Sequence, residues 1–250
     1  MRLKDKVALV TGGSSGIGRG ICHAFAKEGA SILFVGLNEQ KGINTERELL
    51  ELGCEAKYVQ ADLTDRANLP SIVEKTIEHF GKMDILVNNA HASKNVSFED
   101  TTEEIMDLSF DSGFWPTYIL MRNALPYLKE SKGKIINFAS GAGLEGLSKQ
   151  TSYAAAKEAI RAISRVAANE WGRYGINVNI ISPIANSPGI EHWHENNPNS
   201  YNKMIATIPL RRLGDCENDI GRTAVFLASS DADYITGQTL MVDGGTVKVR

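Results

Sequence analysis

Tyr153 and Lys157 close the segment Tyr153-Ala154-Ala155-Ala156-Lys157, a spacing that places both on one face of a helix. A free phenol titrates near ~10, too high for a base at neutral pH. An ammonium held beside it favours phenolate and lowers that value. A phenol tuned in this way can take the proton of an alcohol or return one to a carbonyl oxygen. The bland reading is a surface tyrosine beside a solvated lysine, and the pair alone does not exclude it.

A second feature lies near the N-terminus, in Thr11-Gly12-Gly13-Ser14-Ser15-Gly16-Ile17-Gly18. Glycines here permit a tight turn and close backbone approach to a pyrophosphate. A helix opening at this point supplies free N–H donors and the positive end of its dipole. A glycine-rich turn is a weak signal alone, but this one follows a strand pattern and precedes a helical one.

Those residues need elements to position them. Short aliphatic runs predict strands at Val7–Val10, Ile32–Val35, Lys57–Gln60, Ile85–Val87, Lys134–Phe138, Ile176–Ile180 and Thr239–Val242. Helical patterns lie between them, at Ile17–Lys27, Glu39–Leu52 and Leu69–Phe80. Strands alternating with longer helices predict an α/β fold, a parallel sheet covered on both faces. Gly29, Gly53, Gly81 and Gly175 each fall just before a strand, where a helix C-terminus needs a left-handed residue. No composition shift marks a linker, so residues 1–250 read as a single domain. The stretch 187–208, with Glu191, His192, Trp193 and His194, interrupts the rhythm and reads as a substrate loop or lid.

Further segments carry a resemblance. Leu86-Val87-Asn88-Asn89-Ala90, Ile136-Asn137-Phe138-Ala139-Ser140, Gly237-Gln238 and Val242-Asp243-Gly244-Gly245 accompany the glycine turn and the Tyr153/Lys157 pair in order. Together they resemble the short-chain dehydrogenase/reductase family along nearly the whole chain. The resemblance implies one Rossmann-type, doubly wound domain with a seven-stranded parallel sheet in the order 3-2-1-4-5-6-7. It implies an NAD(P)(H)-dependent oxidoreductase interconverting a secondary alcohol and a ketone. Tyr153 would be the acid/base, Ser140 would hydrogen-bond the reacting oxygen, and Lys157 would also hold the nicotinamide ribose. Cofactor contacts are implied at Gly12, Ser14, Ser15, Ile17, Gly18, Asn38, Asp62, Leu63, Asn89, Tyr153, Lys157 and Ser187. For Asp62 a turn or cap carboxylate is the competing reading. A homo-oligomer is also implied, with a tetramer favoured over a monomer. It would be built on the alanine-rich helix after Ser152 and its predecessor, with Trp115, Tyr118 and Met121 supplying apolar area.

The chain departs from the family pattern in several places. The family's asparagine on the helix before the serine strand is missing, since counting back from Ser140 and Pro126 reaches Asp111-Ser112-Gly113. Asp111 either substitutes for it or caps a helix. His91 replaces the glycine after Asn-Asn-Ala, and contact with substrate and simple packing both remain open for it. At the end of the second strand, Gly36 and Leu37 supply neither the acid of NAD-type sites nor the arginine of many NADP-type relatives. A buried 2′-phosphate without a cation is penalised more than one weakened hydroxyl contact. The choice therefore stays NAD or NADP with a slight lean to NAD. Leu144 and Gln150 are candidates for the pocket wall.

Composition narrows the field. Twenty-seven basic against 30 acidic residues give a net charge of −3, so nothing predicts a nucleic-acid or anionic-membrane partner. Cys22, Cys54 and Cys216 are far apart and never in a C-x-x-C pair, which predicts no disulfide framework or zinc site and fits a reducing cytoplasm. His192 and His194 could chelate from alternate positions, but nothing frames them, and no metal is expected. Two rivals stay open. One is a cofactor-retaining epimerase or lyase, the other a non-catalytic dinucleotide-binding protein.

Overall fold

Residues 1–248 are described by a computed structural model. The aliphatic runs become β1 (Val7–Thr11), β2 (Ser31–Gly36), β3 (Ala56–Gln60), β4 (Ile85–Asn88), β5 (Lys134–Phe138), β6 (Asn177–Pro183) and β7 (Thr239–Val242). They form one parallel sheet in the order β3-β2-β1-β4-β5-β6-β7, as the resemblance implied. Register places Val10 between Phe34 and Val87, and Val87 beside Ile136. Alternate residues of each central strand serve opposite cores. Val10, Phe34, Val87 and Ile136 face one layer, while Leu9, Leu33, Leu86 and Ile135 face the other. Each such side chain, fully buried, contributes roughly 1.5–3 kcal/mol.

The helices are α1 (Gly16–Lys27), α2 (Glu39–Glu51), α3 (Leu69–Phe80), α4 (Glu103–Ser109), α5 (Trp115–Ser131), α6 (Gly141–Glu145), α7 (Thr151–Trp171), α8 (Pro188–Asn196), α9 (Pro198–Thr207) and α10 (Arg222–Ala228). Gly29, Gly53, Gly81 and Gly175 all have positive φ, the left-handed conformation expected of them. Between α4 and α5, residues Phe110–Phe114 form a π-helical turn, a widened turn that recurs at functional sites.

Three expectations change. The sixth strand starts at Asn177 rather than Ile176 and runs on to Pro183, because Ile181, Ser182 and Pro183 pair in register with Leu240, Met241 and Val242 of β7. The stretch 187–208 is two helices rather than a loop, each opened by a proline in its first turn and neither burying a residue. Met121 is buried and accepts a contact from Asn137 Nδ2 at 3.3 Å. It belongs to the chain's own core and supplies no outer surface, whereas Tyr118 is exposed.

Candidate active site

A cleft of about 630 Å³ opens where the strands end, the position at which parallel α/β sheets bind ligands. Its first wall is the glycine turn. Gly12 has φ +67°, and Gly18 packs so closely that a Cβ there would lie 2.1 Å from the Gly12 carbonyl oxygen. Ser15 precedes α1 without capping it through its side chain, and no acidic residue lies in the first turn. The helix therefore presents uncapped N–H groups to the cleft, and a pyrophosphate fits that cradle. Gly12, Ser14, Ser15 and Ile17 line the cleft. Gly18 instead lets turn and helix close together.

Asn89 lines the cleft and ties two strand ends together. Its backbone N–H donates to Thr11 Oγ1 and its Nδ2 to the Thr11 carbonyl, both at 3.0 Å. Asp62 and Leu63 also reach the cleft. The Asp62 carboxylate accepts from the backbone N–H of Thr64 at 2.9 Å and its hydroxyl at 2.7 Å. The backbone bond is the main reason its carboxyl titrates below the usual range. The turn reading and the cleft reading of Asp62 thus coexist. Asn38 caps α2, accepting from Lys41 N–H at 2.9 Å, and Leu37 rather than Asn38 lines the cleft. At Gly36 a Cβ would lie 2.3 Å from Ser14 Oγ, so the serine fills the place an acid would need. Ser187 borders the opposite rim at the start of α8.

The far end of the cleft joins α7 to the end of β5. Lys157 is buried, and its Nζ donates to the Phe138 carbonyl at 3.0 Å and lies 5.6 Å from the Tyr153 ring centre. Burial pulls the Lys157 ammonium down to about 7. The Tyr153 phenol is shifted upward, because burial outweighs the opposing hydrogen bond with Ser140. The ammonium was expected to lower it; desolvation of both groups wins instead. Ser140 lies two residues beyond β5 and caps α6, accepting from Ala142 N–H at 3.2 Å. Tyr153, Lys157 and Ser140 therefore meet, and the trio can exchange a proton with an oxygen placed beside it.

Leu144 and Gln150 do not line the cleft; Gln150 bridges to Val96 instead. Asp111 pairs with Arg66 from within the π-turn, and the helix that follows is capped at Phe114 rather than at Asp111. His194 stacks on Tyr201, 3.7 Å between ring centres, and His192 faces Glu195 at 3.7 Å. Among the described residues no three potential ligands gather around a metal position.

Sequence reasoning missed Leu108 and Ser112, which line the cleft from α4 and the π-turn. It also missed the pairing of Gly113 with His91, where a Cβ on residue 113 would lie 2.2 Å from His91 Nδ1. The signal was an isolated glycine inside a helical pattern, a position destabilised by about 1 kcal/mol relative to alanine unless something needs the space.

The chain is similar to known proteins along nearly its whole length. Residues 12–247 match a family model described as enoyl-(acyl carrier protein) reductase. The 12α-hydroxysteroid dehydrogenase of a Clostridium species is 44% identical over 248 residues, 96% of each chain. The galactitol 2-dehydrogenase of Agrobacterium fabrum is 36% identical over 261 residues, 98% of each. The crystal structure of levodione reductase superposes with a TM-score of 0.92, covering 98% of each chain at 30% identity.

Proposed function

The chain belongs to the short-chain dehydrogenase/reductase family and is an NAD(P)(H)-dependent oxidoreductase acting on alcohols and ketones, and from that premise we propose that Tyr153, Lys157 and Ser140 carry the reaction. When bound, the nicotinamide supplies the hydride acceptor or donor and, in its oxidised form, a positive charge that favours the phenolate. Tyr153 takes the hydroxyl proton of the alcohol or returns it to the carbonyl oxygen. Ser140 hydrogen-bonds that same oxygen, and Lys157 orients the nicotinamide ribose from its seat on the Phe138 carbonyl. The observation carrying this reading is the meeting of the three side chains at the end of β5, on the rim of a cleft whose other end is an uncapped helix N-terminus.

The substrate we propose is a secondary alcohol on an apolar ring system, of the hydroxysteroid type. It is supported by the 44% identity to the 12α-hydroxysteroid dehydrogenase against 36% to the galactitol enzyme, and by Leu108, Ala92, Phe138 and Pro183 around the cleft. For the cofactor, Asp62 is the only charged side chain among the described residues that lines the glycine-turn end. That favours NAD over NADP by a modest margin, with Gly12, Ser14, Ser15, Ile17, Asp62, Leu63, Asn89 and Ser187 as contacts. The scarce, unpaired cysteines support a cytoplasmic setting, and no helix among the described residues is long and apolar enough to cross a membrane.

The test is a screen of a 12α-hydroxysteroid, galactitol and levodione with NAD(H) and NADP(H), followed by stoichiometric nicotinamide absorbance. Turnover is expected, and Tyr153→Phe should lower kcat by about 10²–10⁴ while leaving the cofactor dissociation constant nearly unchanged. Full activity in that variant would remove the mechanism. Redox without net change in the cofactor would point to an epimerase.

We further propose a homotetramer, supported by exposed Tyr118 on α5 and Val166 on α7 and by the frequency of closed symmetric assemblies. Sedimentation at micromolar concentration should give four times 27.3 kDa. A monomer would refute it.

A further inference from the structure

Beyond β7 the chain folds back on itself in a hook, residues 243–247, that the proposed mechanism does not use. Asp243 is only 3% exposed, and both oxygens of its carboxylate are occupied. Oδ1 accepts from the Gly245 N–H at 2.9 Å and Oδ2 from the Val247 N–H at 2.7 Å. The Thr246 hydroxyl closes the hook by donating to the Asp243 carbonyl at 2.8 Å. Gly244 and Gly245 both take positive φ, as so tight a reversal favours.

The hook meets two other segments. On one side the Leu210 N–H donates to the Gly244 carbonyl at 3.2 Å, and a Cβ on residue 244 would lie 2.6 Å from Ile208 Cγ2. These residues follow α9, where the 187–208 segment ends. On the other side Val247 packs on Gly141, and a Cβ on residue 141 would lie 2.9 Å from Val247 Cγ2. Gly141 follows Ser140 directly and opens the helix that Ser140 caps. Ser140 is therefore bracketed. Before it, the Ala139 N–H donates to the Ile181 carbonyl at 3.0 Å; after it, Gly141 rests against Val247.

Ending a strand does not require a buried carboxylate. Taking that charge out of water is costly, and a turn of neutral residues avoids the penalty. What the carboxylate adds is direction: two charge-assisted bonds to backbone N–H groups aim Val247 at Gly141. We propose that Asp243 is a positioning residue for the reaction, holding Val247 against Gly141 so that the Ser140 hydroxyl keeps its place beside Tyr153. Neither Asp243 nor Val247 is among the described residues that line the cleft, so the hook acts through Ser140 and not on the ligands directly.

This inference rests on the proposed role of Ser140, so Ser140→Ala is measured in parallel, with a 12α-hydroxysteroid, galactitol and levodione as probes. Asp243→Asn keeps the side chain's shape but replaces one acceptor oxygen by an NH2 group. It should lower kcat about tenfold, as a displacement of a fraction of an ångström would, with the cofactor dissociation constant nearly unchanged. Val247→Ala leaves the Asp243 hydrogen bonds in place and removes the methyls that meet Gly141. It should lower kcat about three- to tenfold with Tm within a few degrees of wild type, and it carries the test if the Asp243 variant folds poorly. In the Ser140→Ala background either substitution should lower kcat by less than about twofold more. An unchanged kcat in both variants would overturn the proposal, and so would the same loss with and without Ser140. A rise in KM alone would overturn it in favour of an action on the 187–208 segment. Wild type without turnover, or Ser140→Ala with full activity, would defeat the underlying reading and this inference with it.

Discussion

At the glycine-turn end of the cleft, the groups facing a ligand are backbone N–H donors, and the nearby side chains bond one another. Asn38 caps α2, Asp62 holds Thr64, and Ser14 fills the space beside Gly36. At the Tyr153 end the facing groups are buried side chains whose proton affinities have moved, up for Tyr153 and down for Lys157 and His91. The first end is defined by where side chains are absent, the second by which ones are buried together. A cradle of backbone dipoles is therefore insensitive to most side-chain changes and intolerant of an added Cβ. A cluster of desolvated groups responds to every change of polarity.

Lys157→Met probes that contrast most strongly. Between about pH 7 and 10.5 the unfolded chain keeps a proton that the folded chain releases, so wild-type stability rises with pH across this window. The variant should lose that rise, abolish turnover, and gain on the order of 4 kcal/mol at pH 7, at about 1.4 kcal/mol per pKa unit. Urea unfolding at several pH values reads it, and a wild-type curve flat from pH 7 to 10 would contradict it.

Next in size is Ser140→Ala, expected to lower kcat by about 10²–10³ through loss of a hydrogen bond to the reacting oxygen. Loss of the α6 cap should lower stability by only about 1 kcal/mol. Gly18→Ala attacks the other end. Its Cβ meets a backbone oxygen at 2.1 Å, so the turn must shift. Cofactor affinity should fall about tenfold or more, while Ser15→Ala beside it should change affinity no more than about threefold; calorimetric titration of both separates backbone from side-chain recognition. The smallest effect is expected from Leu37→Asp. Leu37 is 67% exposed at the rim, and a carboxylate there should shift preference toward NAD by roughly tenfold or less through repulsion of a 2′-phosphate. Gly36→Asp, the more obvious substitution, runs into Ser14 and should destabilise the protein instead.

Much of the architecture is legible in the order of residues. Aliphatic runs fixed the strands, and the four glycines with positive φ marked where helices end. The π-turn at Phe110–Phe114 was not readable. Neither was the helical character of 187–208, where Pro188 and Pro198 open two helices in a stretch whose rhythm read as broken. At 187–208 pattern reading fails because a proline that breaks a helix interior is also favoured in a helix's first turn.

The one-dimensional order of residues determined the chemistry available. Tyr153 and Lys157 share a face because the helix repeats every 3.6 residues, and the glycine turn must precede a helix because its neighbours are a strand and an amphipathic run. Tertiary structure decided what that chemistry becomes. Burial, a property of the whole packed chain, moved Lys157 and Tyr153 in directions that their proximity alone would not give. The meeting of His91 with Gly113, 22 positions apart in sequence, exists only where the end of β4 crosses the π-turn. Desolvation and close approach both depend on atoms from distant segments, so local spacing carries no record of either.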